Sequence, residues 1–230
     1  MSIIAKNIAA AKNIVLQAAT RSARSPDEIT LLAVSKRIST TLIQDAIAAG
    51  QTCFGENRVQ DATEKIPALP SHLHWHFIGA LQKNKIRKIL PITSTLHGIN
   101  SLEIATAVDR IASELGITPD IYLQVNIAQE SSKQGFSPQG LSDTIEQIAS
   151  LPNIQPIGLM TIPPFSPDPE KTRPYFQSLR NLRDQLAQSH GTKLPGLSMG
   201  MSNDFAVAIE EGSTIVRLGT TIFGPRTPPN

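Results

Sequence analysis

Leu31-Leu32-Ala33-Val34-Ser35-Lys36 is a short apolar run that closes on a lysine and is not followed by a glycine-rich turn. An open doubly wound sheet that binds a dinucleotide carries Gly-x-Gly-x-x-Gly after its first strand, so the ending Ala33-Val34-Ser35-Lys36 argues for another α/β architecture. Outward from this run, candidate strands recur at Thr30–Ser35, Thr52–Phe54, His74–Ile78, Thr95–Ile99, Ile121–Val125, Ile154–Leu159, Leu197–Met199 and Thr214–Leu218. Helical patterns separate them at Thr40–Ala49, Arg58–Lys65, Lys83–Ile89, Ser101–Leu115, Pro138–Ser150, Pro169–Gln188 and Asn203–Glu211, and a further one from Met1 to Arg24 precedes the first strand. Strand and helix alternating from end to end mean a parallel sheet, and eight strands in about 200 or more residues fit a closed barrel. The expectation is one domain over residues 1–230, a TIM-like (β/α)8 barrel with an extra N-terminal helix. Pro163, Pro164, Pro167 and Pro169 read as one loop after the sixth strand, and Pro225–Asn230 as an irregular end.

Composition narrows the function classes. Of the 230 residues 40% are hydrophobic, yet no apolar run approaches the roughly 20 residues needed to cross a bilayer. The first 24 residues lack the order of basic, apolar and small residues that marks a signal peptide, and the single cysteine, Cys53, excludes an intramolecular disulfide framework. A cytoplasmic protein is expected. With 21 Lys and Arg against 19 Asp and Glu, the net charge of +2 advertises neither nucleic acid nor an anionic membrane as partner. The one dense basic run, Lys83, Lys85, Arg87 and Lys88, reads as a solvated helix face.

Several residues are candidates for chemistry. Alternation places Leu32, Val34 and Lys36 on one face of the first strand. If that face lines the barrel, burial favours the neutral amine, which can attack an aldehyde; otherwise Lys36 is a strand-end lysine reaching for water. Arg217, within Ile215-Val216-Arg217-Leu218-Gly219, has apolar neighbours and needs a partner, and a structural salt bridge is favoured over a heteroaromatic nitrogen. Ser198-Met199-Gly200-Met201-Ser202-Asn203-Asp204 and Gly219-Thr220-Thr221 have the small residues that let backbone N–H groups approach a phosphate, at the loops where barrels frequently hold one. Ser202 could equally cap the following helix. Asn57 and Glu56 lie at the same rim as Lys36 and could orient a ligand, or Asn57 could cap the helix near Arg58. His72, His74 and His76 share one face at strand spacing, but no carboxylate or thiol accompanies them, so a metal site is disfavoured, as is Cys53 as a nucleophile.

Ala33-Val34-Ser35-Lys36, Phe54-Gly55-Glu56-Asn57, Trp75-His76-Phe77-Ile78-Gly79, Leu81-Gln82-Lys83-Asn84-Lys85 and Gly158-Leu159-Met160-Thr161-Ile162-Pro163, in this order, resemble the pyridoxal phosphate homeostasis protein family. Leu197-Ser198-Met199-Gly200-Met201-Ser202-Asn203-Asp204 and Val216-Arg217-Leu218-Gly219-Thr220-Thr221-Ile222-Phe223-Gly224 resemble its two C-terminal signatures, so the resemblance runs through essentially the whole chain. It implies a barrel related to the N-terminal domain of alanine racemase, with pyridoxal 5′-phosphate (PLP) held as an internal aldimine on Lys36. It implies that Arg217 faces the pyridine nitrogen, that Met201, Ser202, Gly219 and Thr220 surround the phosphate, and that Asn57 lies near the ring. The sequence departs from the family at Gly98 and Asn100, where a hydroxyl and a carboxylate are common; Asn100 is still able to cap a helix.

The function implied is buffering or delivery of PLP, with apo-PLP enzymes as recipients and effects on amino- and keto-acid balance, by a monomer without robust catalysis. An arginine at the pyridine nitrogen disfavours its protonation and weakens the ring as an electron sink. Racemisation also needs a second base, and the chain offers only Tyr122 and Tyr175 and no second domain to bring another. The alternatives are a weak PLP enzyme such as an amino-acid racemase, and a lysine aldolase that uses the same amine without PLP.

Overall fold

A computed structural model describes residues 2–130 and 133–225 of the chain. The first elements are α1 (Ile3–Arg21), β1 (Thr30–Val34), α2 (Thr40–Ala48), β2 (Cys53–Glu56), α3 (Val59–Lys65) and β3 (His74–Phe77). Then come α4 (Ile86–Ile89), β4 (Thr95–Ile99), α5 (Leu102–Leu115), β5 (Asp120–Gln124), α6 (Pro138–Ala149) and β6 (Gln155–Met160). The last are α7 (Arg173–His190), β7 (Gly196–Met201), α8 (Phe205–Glu210), β8 (Ile215–Leu218) and α9 (Thr220–Phe223). The strands are parallel and pair in chain order, and the sheet closes where β8 meets β1 through Thr30–Ile215, Leu31–Val216, Leu32–Arg217 and Ala33–Leu218. This is the expected TIM-like (β/α)8 barrel with its extra N-terminal helix. Among the described residues no helix is long and apolar enough to cross a membrane.

The Ser2 hydroxyl starts α1 by accepting the Ala5 N–H at 3.2 Å. Ile4, Ile8, Ala11, Val15 and Ala18 recur at helical spacing and are buried, and the helix packs against α2, α8 and α9. Asn7 Nδ2 donates to the Ile222 carbonyl at 2.8 Å, so the extra helix braces the two helices that flank β8.

Strand alternation sorts the core into an interior and an outer layer. Leu32, Cys53, Tyr122, Met160 and Ile215 fill the barrel. Leu31, Ala33, Phe54, Trp75 and Val216 face outward to the helices, with Phe54 stacked on Trp75 at 5.3 Å between ring centroids. The Tyr122 ring fits because Gly158 and Gly196, partners across β6 and β7, have no side chains. A Cβ at Gly158 would lie 2.2 Å from the Gly196 carbonyl oxygen and 2.6 Å from Tyr122 Cε1. Gly158→Ala is therefore expected to cost about 1–3 kcal/mol through overpacking, seen as a lower urea midpoint at unchanged slope. An unmoved midpoint would mean that both the β7 backbone at Gly196 and the Tyr122 ring give way at no cost.

The differences from the sequence reading are at short elements. The helix expected over Lys83–Ile89 is a 3₁₀ turn at Lys83–Lys85 followed by the single turn α4. Lys83 and Arg87 are exposed and form ion pairs with Glu103 and Glu114 of α5, in line with a solvated face. The one-turn helix α9 was not anticipated, because four residues are too few to show a helical period. α8 begins at Phe205 rather than at Asn203, since Met201–Asp204 forms a turn in which Asp204 Oδ1 accepts the Met201 N–H at 2.7 Å. From residue 226 on, the expected irregular tail lies outside the described residues.

Candidate functional site

At the C-terminal mouth of the barrel, where βα loops converge in this fold, lies a cavity of about 520 Å³. Lys36, Asn57, Met201, Ser202, Arg217, Gly219 and Thr220, drawn from four βα units, all line it. Val34 and Ile78 add an apolar wall.

Lys36 follows a residue that is firmly held. The Ser35 N–H donates to the Gly55 carbonyl at 3.0 Å, and its hydroxyl donates to Glu56 Oε1 at 2.8 Å. Lys65 Nζ, from α3, donates both to that same carboxylate oxygen and to the Ser35 carbonyl at 3.0 Å. The next residue, Arg37, has φ of +59°, which turns the chain away toward α2. Lys36 is thus presented from a clamped strand end rather than from a loose loop. Glu56, read above as able to orient a ligand, is fully buried and serves this clamp instead. Burial pushes its carboxyl up, against the opposing pull of Lys65 and Ser35.

Asn57 does not cap a helix. Arg58 takes the position before α3 and makes no side-chain cap bond, while Asn57 Oδ1 is buried without a hydrogen-bond partner among the described residues. A buried amide oxygen left unpaired is costly, so a ligand hydroxyl bonding there would be favoured.

Arg217 departs from the expected salt bridge. Its Nη1 donates to the carbonyl and the hydroxyl of Ser198, each at 2.7 Å, and Nη2 donates to the Thr161 carbonyl at 2.9 Å. Apolar flanking residues predict that a guanidinium needs acceptors, but not which ones, and here strand-end oxygens supply them. Burial pulls Arg217 down to about 10, with Asp204 opposing, so it stays charged at neutral pH.

The two loops expected to hold a phosphate are joined to each other. Ser202 Oγ accepts the Thr221 N–H at 3.3 Å, bridging the turn after β7 to α9, so Ser202 does not cap α8. Gly200 has φ of +94°, and a Cβ there would lie 2.5 Å from Ala208 Cβ; only glycine lets this turn sit against α8.

Other lining residues escaped the sequence reading. Gln124 ends β5 and donates from Nε2 to the Gln134 carbonyl at 3.1 Å. Asn100 Nδ2 donates to Gln134 Oε1 at 3.0 Å, and Ser101 caps α5, so Asn100 secures a rim residue instead of starting a helix. Ile162 and Phe165, in the proline-rich loop, also border the cavity, with Phe165 83% exposed. Loop residues carry no periodic signal that would point them at a cavity.

The other candidates lie elsewhere. Among the described residues no group of three His, Cys, Asp or Glu could hold a metal ion, and His74 is exposed while His76 is buried inside the barrel. Cys53 is buried, which pushes its thiol up to about 12 and leaves it unsuited to be a nucleophile.

The fold and this cavity define a class of protein, since the family model for the alanine racemase N-terminal domain matches residues 9–227. Alanine racemase of Clostridium difficile 630 shares the fold at a TM-score of 0.76 and 16% identity, over 99% of this chain and 57% of that one. The pyridoxal phosphate homeostasis protein of Aquifex aeolicus is 41% identical over 213 residues, covering 92% of this chain and 93% of that protein. PipY of Synechococcus elongatus PCC7942, solved without PLP, is 38% identical at a TM-score of 0.83, over 92% of this chain and all of that one. PipY has also been solved with PLP bound, at a TM-score of 0.80. The chain belongs to the pyridoxal phosphate homeostasis protein family, built on the alanine racemase N-terminal domain.

Proposed function

We propose that this chain binds pyridoxal 5′-phosphate, holds it as a Schiff base on Lys36, and serves intracellular PLP homeostasis by buffering the aldehyde and delivering it to apo-PLP enzymes. It works in the cytoplasm as a single-domain monomer over residues 1–230, without robust catalysis of its own. The observation that carries this reading is the cavity itself. One lysine, one buried arginine, an unpaired amide oxygen and two bridged small-residue loops face a space of about 520 Å³, within the usual range for a small-ligand pocket. The names of its relatives and the PLP-bound form of PipY support it.

The residues fit the group. PLP supplies an electrophilic aldehyde and an electron-withdrawing ring. Lys36 brings the amine, presented by the Ser35–Glu56–Lys65 clamp. Ser202, Gly219 and Thr220, with the adjoining Met201, receive the phosphate, and Asn57 offers its open amide end to the ring hydroxyl. Arg217, a donor at every physiological pH, faces the ring nitrogen and keeps it unprotonated. Holding the cofactor rather than turning it over is favoured by the choice of lining residues. Lys36 and Arg217 are the titratable groups that line the cavity among the described residues, and neither Tyr122 nor Tyr175 borders it.

The test is transfer. The PLP-loaded protein, freed of excess cofactor and supplied as the sole PLP source, is expected to activate an apo-PLP enzyme faster than an equal amount of free PLP does. Activation no faster than with free PLP would overturn delivery and leave buffering. Failure of the protein to take up PLP at all would overturn the whole reading.

A further inference from the structure

The barrel interior holds a feature that cofactor binding does not itself explain. Interiors of this fold are filled mainly by branched aliphatic side chains, yet here five strands contribute polar groups in contact with one another. His76 Nδ1 lies 2.8 Å from His97 Nε2, and His97 Nδ1 lies 2.8 Å from Ser198 Oγ. Ser198 Oγ is the atom that accepts from Arg217 Nη1 at 2.7 Å. At the other end, Cys53 Sγ lies 3.4 Å from His76 Nε2. All five residues are buried, and the Tyr122 ring packs on His97 at 4.6 Å between centroids.

The hydrogens of this chain follow from its first two members. A guanidinium only donates, so Ser198 Oγ accepts from Arg217, and among the hydrogen-bond contacts of that hydroxyl His97 Nδ1 is the group able to accept its single hydrogen. His97 then carries its hydrogen on Nε2 and donates it to His76 Nδ1. His76 in turn carries its hydrogen on Nε2 and directs it at Cys53 Sγ. Every bond therefore points away from Arg217. The alternative tautomer of one ring alone sets two donors or two acceptors against each other at the His76–His97 contact, and reversing both rings together takes from the Ser198 hydroxyl hydrogen its acceptor, His97 Nδ1. Burial agrees with neutral rings, since it lowers His76 to about 4 and pushes His97 well below its ordinary range.

We propose that His97 and His76 are positioning residues, which hold the Arg217 guanidinium in its cavity-facing pose through a one-way hydrogen-bond chain that ends on Cys53. Ser198 receives Arg217 with its carbonyl and its hydroxyl together, and His97, by taking the hydroxyl hydrogen, keeps the lone pairs of that oxygen turned to Arg217. The effect on a bound cofactor rests on the reading above, in which Arg217 faces the pyridine nitrogen. The orientation of the chain does not depend on it.

The experiment has two parts, which separate these claims. In histidine-¹⁵N-labelled protein without added PLP, long-range ¹H–¹⁵N correlation spectra are expected to show both His76 and His97 as Nε2–H tautomers. A hydrogen on Nδ1 of either ring overturns the chain. In the same cofactor-free state the Arg217 Nη hydrogens are expected to give separate, slowly exchanging signals in the native protein and in His97→Gln, whose amide can accept at Oε1 and donate at Nε2. They are expected to merge in His97→Leu, or in His76→Leu should that variant fail to fold; unchanged Arg217 signals in a folded leucine variant overturn the positioning role. With PLP added, the leucine variant is expected to move the visible band and its pH titration, and the glutamine variant to restore them. Absence of any band in the native protein would count against the PLP reading alone, since the cofactor-free spectra still decide the chain.

Discussion

Lys36→Ala is expected to abolish covalent PLP uptake: the variant stays colourless at PLP concentrations that turn the native protein yellow, and its bound PLP after gel filtration falls at least about tenfold, the equivalent of about 1.4 kcal/mol or more. The size of the effect follows from the lining of the cavity, where Lys36 contributes the amine and Arg217, the other titratable group there among the described residues, is a poor nucleophile at neutral pH. The two bridged loops after β7 and β8 and Asn57 remain intact in the variant, so weak, reversible binding without a Schiff-base band is the expected residue of affinity. The substitution lies past the end of β1, and the clamp bonds run between Ser35, Glu56 and Lys65; a circular dichroism spectrum and urea midpoint matching those of the native protein check that the colourless variant is folded. A yellow Lys36→Ala protein would move the attachment point elsewhere.

The second large effect concerns stability in mild acid. His76 titrates at about 4 in the folded chain against 6.5 for an unperturbed imidazole, because it is desolvated, with a lesser contribution from His74. Between these values the unfolded chain binds a proton that the folded chain does not, so stability is complete above about pH 6.5 and falls as the pH drops toward 4. A shift of that size corresponds to about 3 kcal/mol, and His97, lowered further by deeper burial, acts in the same direction. Glu56 and Asp204, raised by burial, act in the opposite direction, since they take up protons in the folded state first and offset part of the loss in the lower half of the window. Urea midpoints measured between about pH 7.5 and pH 5 should therefore decline, and the decline should flatten in His76→Gln. A native midpoint that does not move over this range would mean that the two rings are not buried in their neutral forms.

What the sequence disclosed, and what it withheld, follows from the reach of each physical signal. Period-two alternation tells which face a strand residue takes, and it placed Lys36 in line with Leu32 and Val34, which the structure bears out at the barrel interior and the cavity wall. Alternating strands and helices likewise made the barrel legible, and small residues marked both of the loops that border the cavity after β7 and β8. Alternation does not tell what stands opposite. His97 meets Ser198 across 101 positions of sequence and His76 meets His97 across 21, so the interior chain was invisible until the barrel closed. For the same reason the apolar flanks of Arg217 favour a salt bridge over a heteroaromatic nitrogen without revealing the oxygens of Thr161 and Ser198 that surround it. Asn57 and Ser202 are residue types that commonly cap helices, and only the geometry shows that neither does so here.

The most direct test of the account is to trap the cofactor where it is held. The native protein is saturated with PLP, reduced with borohydride, digested and mapped by mass spectrometry, a sequence that converts a Schiff base into a stable pyridoxyl adduct. The adduct is expected on the peptide containing Lys36 at close to one per chain. An adduct spread over surface lysines such as Lys85 and Lys88, or found chiefly on any residue other than Lys36, would contradict it.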